Sequence, residues 1–489
     1  MSLPPRSLVA LLGSAVGALA LVELGPWRPG WLLFKANRLV LGEAHSAFSL
    51  EPLAALVLLG LWLAAAAVAL APWRSRPWLL ALLASAAFVL TLLLVAGATR
   101  ELTQGEPLSA RVSLEGGVWL TLLATYVTLF GAVSEAPRRF RALLVAPVLA
   151  AFIWLALSGA LSELGIVREL VNQGGDFRAE LARHLALSGT SLLLAALIGV
   201  PAAVASWRSS SVARWVLPGA GLVQTLPSLA LFGLLIAPLA QLGRTLTVGT
   251  ALLVVLAGLV PVVALLVLRR GRRLEASGAA AGPWQPVSTV LKLLPVAPGA
   301  LLAVMLAVVI NGVLAAFLGA GSAPTWPGWR EPLTVLGVRG IGSAPALIAL
   351  TLYALLPIVR NTYTGLSSVP KAATEAGRGM GMSPWQLLLR VELPLALPLV
   401  IEGLRAATVL TIGTTTVAYL IGAGGLGVFI QRGIDQVVPD LVLLGAVPII
   451  LLALIADALL RGLGGLLTPR GLREPQAEVL PRARATATT

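Results

Sequence analysis

The chain has 489 residues, of which 58% are hydrophobic and 11% are charged, and its mean hydropathy is +0.92. A soluble protein of this size does not carry so few charges, so the composition excludes a cytosolic globular protein and predicts many transmembrane helices. The absence of Cys excludes disulfides and thiolate metal sites, and with only two His a histidine metal site is not expected. We therefore predict neither a metal nor another cofactor.

Twelve apolar stretches approach the length of about 20 residues that a helix needs to cross a bilayer. The first lacks a convincing cleavage site for a signal peptidase and is interpreted as a membrane anchor. With the N-terminus inside, basic clusters such as Arg138, Arg139 and Arg141 fall in cytoplasmic segments, as the positive-inside rule requires. This bias explains the net charge of +14 without a nucleic-acid partner, and it places both termini in the cytoplasm. The stretches are 7–24, 53–72, 78–98, 117–134, 142–160, 185–206, 216–239, 246–268, 293–318, 343–360, 395–421 and 440–460.

The first five stretches, within residues 1–183, are rich in Ala, Leu and Val and carry no dense polar motif. The sequence then changes, because small residues occur among the Leu residues of 188–201, which suits close helix packing in lipid. Gln224 and Pro227 follow inside the predicted span 216–239. A Gln and a Pro at this depth are costly unless they face other helices or a cavity. This span is interpreted either as a kinked packing helix or as the lining of a pathway.

The stretch 375–394, EAGRGMGMSPWQLLLRVELP, is polar and has helical signals, yet it lies between two apolar spans. Ser383, Pro384 and Gln386 supply an N-cap, a first-position Pro and a third-position Gln. They predict a short helix that Pro394 ends. The helix signals alone leave two interpretations open, a loop that lies on the bilayer surface and a loop that docks another protein. The apolar face of this helix is predicted to contain Trp385, Leu388 and Leu389.

The stretch resembles the EAA loop of ABC-importer permeases, in which Glu-Ala-Ala is followed by a spaced Gly and a closing Ile-x-Leu-Pro. Glu375 and Ala376 match the start of the motif, and Gly377 replaces its third residue. Gly381 falls on the expected Gly, and 391–394 closes the motif with Val in place of Ile. The resemblance implies that this loop docks a cytosolic ATPase. The residues assigned to ATPase coupling are Glu375, Ala376, Gly377, Gly381, Met382, Ser383, Pro384, Trp385, Leu393 and Pro394.

A narrower resemblance covers 185–239 and 337–460 and rests on QTLPSLAL, LLPIVRNTYTGL and IGAGGLG together with the loop. In this combination the chain is similar to the permeases of osmoprotectant importers, which carry glycine betaine, choline or carnitine. The resemblance implies an all-α integral membrane protein with a type I permease core, in the inner or cytoplasmic membrane of a bacterium or archaeon. It also implies three partners, namely the ATPase, an extracytoplasmic substrate-binding protein and a second permease copy or homologue.

The chain has no GxxxxGK[ST] motif, so it cannot hold nucleotide phosphates in a P-loop. We therefore predict a transport subunit rather than an enzyme, with ATP hydrolysis supplied by the partner. GAGGLG at 422–427 follows a membrane span without a βαβ unit, so it is interpreted as a flexible outer turn near the pathway mouth rather than a dinucleotide site. Tyr353, Tyr419, Trp326 and Trp329 offer π faces to a quaternary ammonium, or else belong to an interfacial aromatic belt. The candidate pathway or gate residues are Gln224, Pro227, Tyr353, Tyr419, Gly424 and Gly425.

Two departures from the family pattern define the predicted domains. Residues 1–183 exceed the usual core and form an extension of about five spans. The core, 184–465, is interrupted by an insertion at 241–340 where a short connection is expected, and a basic tail occupies 466–489. Residues 275–295 of the insertion are weakly similar in sequence to the docking loop. Two explanations stay open, a decayed internal duplication and chance.

Two rival functions stay open beside the osmoprotectant importer, an ABC permease for an amino acid and an ion-coupled secondary carrier. Twelve spans with both ends inside suit a carrier, but ion coupling ordinarily needs acids inside the membrane, and these are few here. Glu402 is predicted to pair with Arg405, and Asp457 with Arg461, as helix anchors. A membrane enzyme has no nucleophile–base or metal constellation to support it.

Overall fold

The computed structural model of the chain describes residues 7–23, 27–37, 42–107, 110–257, 296–318 and 328–467. Helices make up most of this part, which confirms the predicted helical membrane fold. The chain divides into two compact units. The first combines Met1–Gly174 with Arg432–Leu444, and the second combines Gly175–Gln431 with Gly445–Thr489.

Several sequence predictions fall outside the described residues. These are much of the insertion, including residues 275–295, together with Trp326 and most of the basic tail at 466–489.

The first unit is built on four helices, α1, α3, α4 and α5, in which each helix packs against two of the others. Their shared interior includes the fully buried Trp62, in keeping with a core that excludes both lipid and water. The helices of this unit are α1 (Leu8–Leu19), α2 (Ala47–Leu50), α3 (Pro52–Leu70), α4 (Arg76–Thr103), α5 (Gly116–Glu135), α6 (Arg141–Leu157) and α7 (Gly165–Asn172), with a 3₁₀ turn at Arg138–Phe140 before α6.

A small antiparallel sheet also belongs to the first unit. Its strands are β1 (Leu32–Lys35), β2 (Glu43–His45) and β3 (Arg111–Leu114), in the order β2-β1-β3. Leu32 lies opposite His45 on one side and Leu114 on the other. These strands were not predicted from the sequence, because runs this short have too few residues to show a period of two.

The second unit contains the long helices of the C-terminal part, and α17 and α18 each have residues in both units. Its elements are α8 (Gly174–Arg208), α9 (Ser210–Thr225), α10 (Ser228–Thr245), α11 (Val248–Ala257), α12 (Val296–Phe317), α13 (Ser343–Ser367), α14 (Lys371–Gly379), α15 (Pro384–Leu387), α16 (Leu393–Thr415), α17 (Gly427–Asp435) and α18 (Pro439–Leu467), with 3₁₀ turns at Leu333–Leu336 and Thr416–Ile421.

Helices α13 and α16 form the most extensive helix pair of the second unit. Gly403 lies at their contact, and a Cβ atom there would come within 2.8 Å of the Pro357 carbonyl oxygen. A residue without a side chain therefore permits the close approach, as is usual where helices pack in lipid.

The described residues contain nine helical segments that are long and apolar enough to cross a membrane. Three shorter apolar helices, Leu8–Leu19, Val248–Ala257 and Met305–Leu314, fall within further predicted spans. A multi-span protein is thus confirmed, while twelve spans and two cytoplasmic termini stay predictions. The nine are Pro52–Leu70, Arg76–Thr103, Gly116–Glu135, Arg138–Leu157, Gly174–Arg208, Ser228–Thr245, Ser343–Ser367, Pro384–Ile421 and Pro439–Leu467.

The predicted single span 216–239 was wrong. The chain breaks between α9 and α10, where Leu226 has ψ of 132° and Pro227 has ψ of 137°. A proline disfavours the α conformation at the residue before it, and it lacks the N–H that would continue the helix.

The prediction that Pro394 ends the loop helix was also wrong. A π-helical turn at Leu388–Glu392 joins α15 directly to α16, and Pro394 lies in the first turn of α16. The wider turn shifts the backbone pairing at the point where a proline ring and a missing N–H would otherwise break the helix.

The two predicted ion pairs are present and are connected. Arg405 pairs with Glu402, and Asp457 pairs with Arg461 at 2.7 Å. Arg405 also contacts Asp457 at 2.7 Å, which joins α16 to α18 within the second unit. These charges satisfy one another, which fits the predicted role as helix anchors.

Candidate coupling surface and pathway

The first half of the loop ends in a turn that only glycine adopts without strain. Gly381 has φ of +78°, directly after α14. Its N–H bonds the Arg378 carbonyl oxygen at 2.9 Å, and the Met382 N–H bonds the Gly377 carbonyl oxygen at 3.1 Å. This pair of bonds is a Schellman motif, with the left-handed residue at the position where glycine is preferred.

The second half of the loop begins with the predicted cap. The Ser383 hydroxyl accepts a bond from the Gln386 N–H at 3.3 Å, and the Gln386 side-chain oxygen accepts one from the Ser383 N–H at 2.8 Å. Pro384 occupies the start of the helix, where its missing N–H costs nothing. The capping box predicted from the sequence is therefore confirmed.

Gly377 holds the two halves of the loop together. It is buried, and a Cβ atom on it would lie 2.6 Å from the Leu387 Cδ1 atom. The third position of the motif, where the sequence departs from Glu-Ala-Ala, is thus filled from the other helix by Leu387. This contact makes the loop one packed body rather than two independent helices.

The packed loop exposes several large apolar side chains. Trp385 is 65% exposed, and Met380 and Leu389 are also exposed, while Leu388 is only 3% exposed. The predicted apolar face was therefore right for Trp385 and Leu389 and wrong for Leu388, because Leu388 packs in a buried cluster with Leu366, Ala396 and Val400. Glu375 of the same loop is also exposed. We call Glu375, Met380, Trp385 and Leu389 the coupling surface.

Arg208, the last residue of α8, supports this surface, although its sequence position did not predict a site residue. Its Nη2 atom donates to the Pro384 carbonyl oxygen at 3.1 Å, and its guanidinium carbon lies 5.3 Å from the centre of the Trp385 ring. Only its place in a basic segment between two spans gave a signal. Behind the loop is a cavity of about 500 Å³, whose lining is Trp207, Arg208, Arg378, Met382, Pro384, Leu387 and Glu392.

Arg208→Ala should weaken ATPase binding and coupled uptake several-fold without preventing membrane insertion. It removes a hydrogen bond and a cation–π contact that are each worth roughly 0.5–1.5 kcal/mol. Arg208→Lys should cause a smaller loss than Arg208→Ala, because it keeps the charge but loses the planar guanidinium. The measurement is co-purification of the ATPase together with uptake in proteoliposomes.

The matched control is Arg214→Ala, which removes an exposed positive charge from the neighbouring helix α9. Equal losses in the Arg208 and Arg214 variants would contradict a specific contact and leave only an effect of net charge.

Two of the candidate pathway residues are in direct contact. The Gln224 side-chain amide donates to the Tyr353 carbonyl oxygen at 3.0 Å, and the Tyr353 hydroxyl donates to the Leu226 carbonyl oxygen. These bonds hold α13 against the break at Pro227. Because Tyr353 is buried, its ring packs inside the second unit, which agrees with the packing interpretation of this segment.

The remaining candidate residues lie in the turn 422–427 or just before it. Gly424 and Gly425 have φ of +79° and +98°, and the Gly425 N–H bonds the Glu180 carboxylate at 2.6 Å. The Tyr419 hydroxyl bonds the side chain of Gln431. A carboxylate thus fills the place where a dinucleotide fingerprint would hold a phosphate, which supports the interpretation as a turn.

Two known protein families match the chain, and both consist of membrane components of transporters. Residues 277–468 match the family described as "Binding-protein-dependent transport system inner membrane component", and residues 5–167 match "ABC transporter permease YehY, N-terminal domain". The chain belongs to the family of binding-protein-dependent ABC transporter permeases. Its members are inner-membrane transport components rather than enzymes, which confirms the predicted class and location.

Three relatives support this assignment. The osmoprotectant import permease OsmW of Salmonella typhimurium is 49% identical over 146 residues, which are 30% of this chain and 68% of OsmW. The choline transport system permease OpuBB of Bacillus subtilis is 38% identical over 190 residues, 37% of this chain and 86% of OpuBB. The carnitine transport permease OpuCB of Listeria monocytogenes is 48% identical over 140 residues, 29% of this chain and 64% of OpuCB. The chain thus spans about two thirds of the length of most of these relatives.

Among solved structures, the inward-facing MetNI methionine ABC transporter covers 57% of this chain and 92% of its own chain, with 16% identity and a TM-score of 0.34. That similarity is too low to support an argument about this fold.

Proposed function

We propose that this chain is the membrane subunit of an ATP-driven importer for a small osmoprotectant such as glycine betaine, choline or carnitine. The observation that carries the proposal is the coupling surface, an ordered loop with exposed apolar side chains that a partner would cover. The names of the relatives support the substrate class, since they describe osmoprotectant, choline and carnitine permeases.

The proposal assigns three partners. A cytosolic ATPase binds the loop 375–394, an extracytoplasmic binding protein delivers the substrate, and a second permease, identical or homologous, completes the pathway. The pathway or gate is assigned to Gln224, Pro227, Tyr353, Tyr419, Gly424 and Gly425.

The proposed domain organisation keeps an extension at 1–183, a core at 184–465 with an insertion at 241–340, and a tail at 466–489. The compact unit that contains Met1–Gly174 supports a separate extension, and this unit also takes in Arg432–Leu444.

The purified chain alone should hydrolyse no ATP, because it has no P-loop. When it is reconstituted with its ATPase and binding protein, it should accumulate labelled glycine betaine, choline or carnitine in preference to methionine. Hydrolysis or concentrative uptake by the chain alone would contradict the proposal. A preference for methionine would assign the chain to amino-acid import.

A further inference from the structure

A second cavity, of about 330 Å³, lies beside the outer turn of the second unit. Its size is near the lower end of the range of small-molecule sites, roughly 300–1,000 Å³. The lining comes from α8, α12, the start of α13 and the segment after the 3₁₀ turn Thr416–Ile421. The residues are Arg183, Ala186, Leu187, Asn311, Ser343, Gly422 and Ala423.

Asn311 gives this cavity a polar group that the protein does not satisfy. Its side chain is only 8% exposed, and its Oδ1 atom has no hydrogen-bond partner among the described residues. Buried polar atoms are nearly always paired, so an unpaired amide oxygen in a cavity wall has room for a water molecule or a ligand group as its partner. A half turn of the amide presents its NH₂ group instead of its oxygen, so the same side chain can donate to an acceptor.

The start of α13 adds backbone donors at the same place. Ser343 is the first residue of this 25-residue helix, and the N-cap position is Gly342, which has no side chain to cap the first turn. The Gly342 N–H bonds the Ile421 carbonyl oxygen at 2.6 Å, which fixes the helix end beside Gly422. The first N–H groups of a helix lack intrahelical partners and carry partial positive charge, so they attract an anion. Here Ser343 and Ala344 carry such groups, whereas Pro345 has no N–H.

Arg183 supplies a cationic group, although the neighbouring Glu180 carboxylate balances much of its charge. Its Nη1 atom contacts the Glu180 carboxylate at 2.7 Å, and a guanidinium has further N–H donors for a second acceptor. Ala186, Leu187 and Ala423 add apolar side chains to the lining. The guanidinium, the helix end and the carboxamide together suit a carboxylate, and the apolar side chains suit the methyl groups of a small ligand.

We propose that this cavity binds the carboxylate of a small methylated zwitterion inside the membrane subunit. Arg183, Asn311 and the N-terminus of α13 hold the carboxylate group. The choice of glycine betaine as the first probe rests on the proposed function, whereas the preference for a carboxylate rests on the cavity alone. A quaternary amine without a carboxylate, such as choline, leaves these donors unpaired and binds more weakly.

The test is equilibrium binding of labelled glycine betaine and of labelled choline to the full chain in lipid nanodiscs. Glycine betaine should bind saturably, and its affinity should be higher than that of choline by about 10-fold or more. Arg183→Gln and Asn311→Leu should each weaken glycine betaine binding by about 10-fold or more and leave choline binding within about 3-fold. The control is Arg244→Gln, which removes an exposed Arg near the end of α10 that does not line the cavity.

Each outcome decides the proposal. Absence of glycine betaine binding, equal binding of choline, or unchanged binding in both cavity variants would overturn it. A loss in the Arg244 variant as large as in the Arg183 variant would also overturn it, because general charge would then explain the result. ATP-dependent uptake is measured separately, so absent uptake with intact Arg183-dependent binding would count against the importer and not against the cavity.

Discussion

Gly381→Leu is expected to weaken ATPase binding and coupled uptake by about 5- to 30-fold while the chain still inserts into the membrane. Gly381 has φ of +78°, and a residue with a side chain pays about 1–2 kcal/mol in this left-handed region. The bonds of the Schellman motif, from Gly381 to Arg378 and from Met382 to Gly377, would then be weakened. Because these bonds set the angle between α14 and α15, the coupling surface would lose its shape.

The readouts are co-purification of the ATPase and coupled uptake, with a C-terminal reporter to follow insertion. Gly381→Asn should be milder, since Asn tolerates the left-handed region better than other side chains do. Gly379→Leu is the matched control, because Gly379 has no positive φ and a Cβ atom there meets nothing within 4 Å. If Gly379→Leu is as harmful as Gly381→Leu, added bulk rather than backbone conformation would explain the loss.

The backbone conformation, and not the close approach of a neighbouring group within the chain, requires glycine at this position. A Cβ atom on Gly381 also meets nothing within 4 Å, so the space around it is open within this chain. Close approach describes Gly377 instead, where Leu387 occupies the space of a side chain.

Removal of the first 174 residues is expected to leave ATPase binding intact and to lower the stability of the chain. The coupling loop lies wholly in the second unit, so its packing does not depend on the deleted helices. The segment Arg432–Leu444, however, folds in the first unit. There the buried Asp440 accepts a hydrogen bond from the Ser113 hydroxyl at 2.6 Å. Deletion removes Ser113 and the other residues around Asp440, so the segment Arg432–Leu444 loses the unit it packs in and the chain becomes less stable. In the full chain, loss of this hydrogen bond alone should cost about 1–3 kcal/mol, because Asp440 then stays buried.

The measurements are thermal unfolding in detergent and ATPase co-purification, for the full chain and for a chain that begins at Gly175. This start keeps Phe177, whose ring lies 5.9 Å from that of Phe429. Ser113→Ala in the full chain isolates the Asp440 contribution and should reproduce part of the loss. ATPase binding that disappears despite correct insertion would show that the extension belongs to the coupling core. Unchanged stability would contradict the role of Asp440.

Local signals were enough to predict much of the coupling loop. Ser383, Pro384 and Gln386 are neighbours in sequence, so their capping box follows from side chains and backbone within one turn of helix. The apolar stretches predicted a multi-span protein for a similar reason. A helix makes its backbone hydrogen bonds within itself, and an apolar composition is enough to place it in lipid. The resemblance of 375–394 to the EAA loop then indicated the family, which the relatives confirmed.

Other features depended on contacts between residues far apart in the chain. Arg208 meets Pro384 across 176 residues, and Ser113 meets Asp440 across 327 residues. Neither residue of these pairs has a local pattern that names its partner. The break at Pro227 and the continuation through Pro394 show the same limit, because a proline only weakens a helix locally and the packing around it decides whether the chain bends, breaks or widens its turn.

The sequence by itself therefore determined that the protein lies in a membrane, its class and the chemistry of its loop. These properties depend on composition and on residues within a few positions of each other. Only the tertiary structure decided which side chains of the loop are exposed and which Arg contacts Trp385. It also decided that Asn311, Arg183 and the start of α13 line one cavity. Those properties arise when helices pack, and packing brings together groups whose separation along the chain carries no signal.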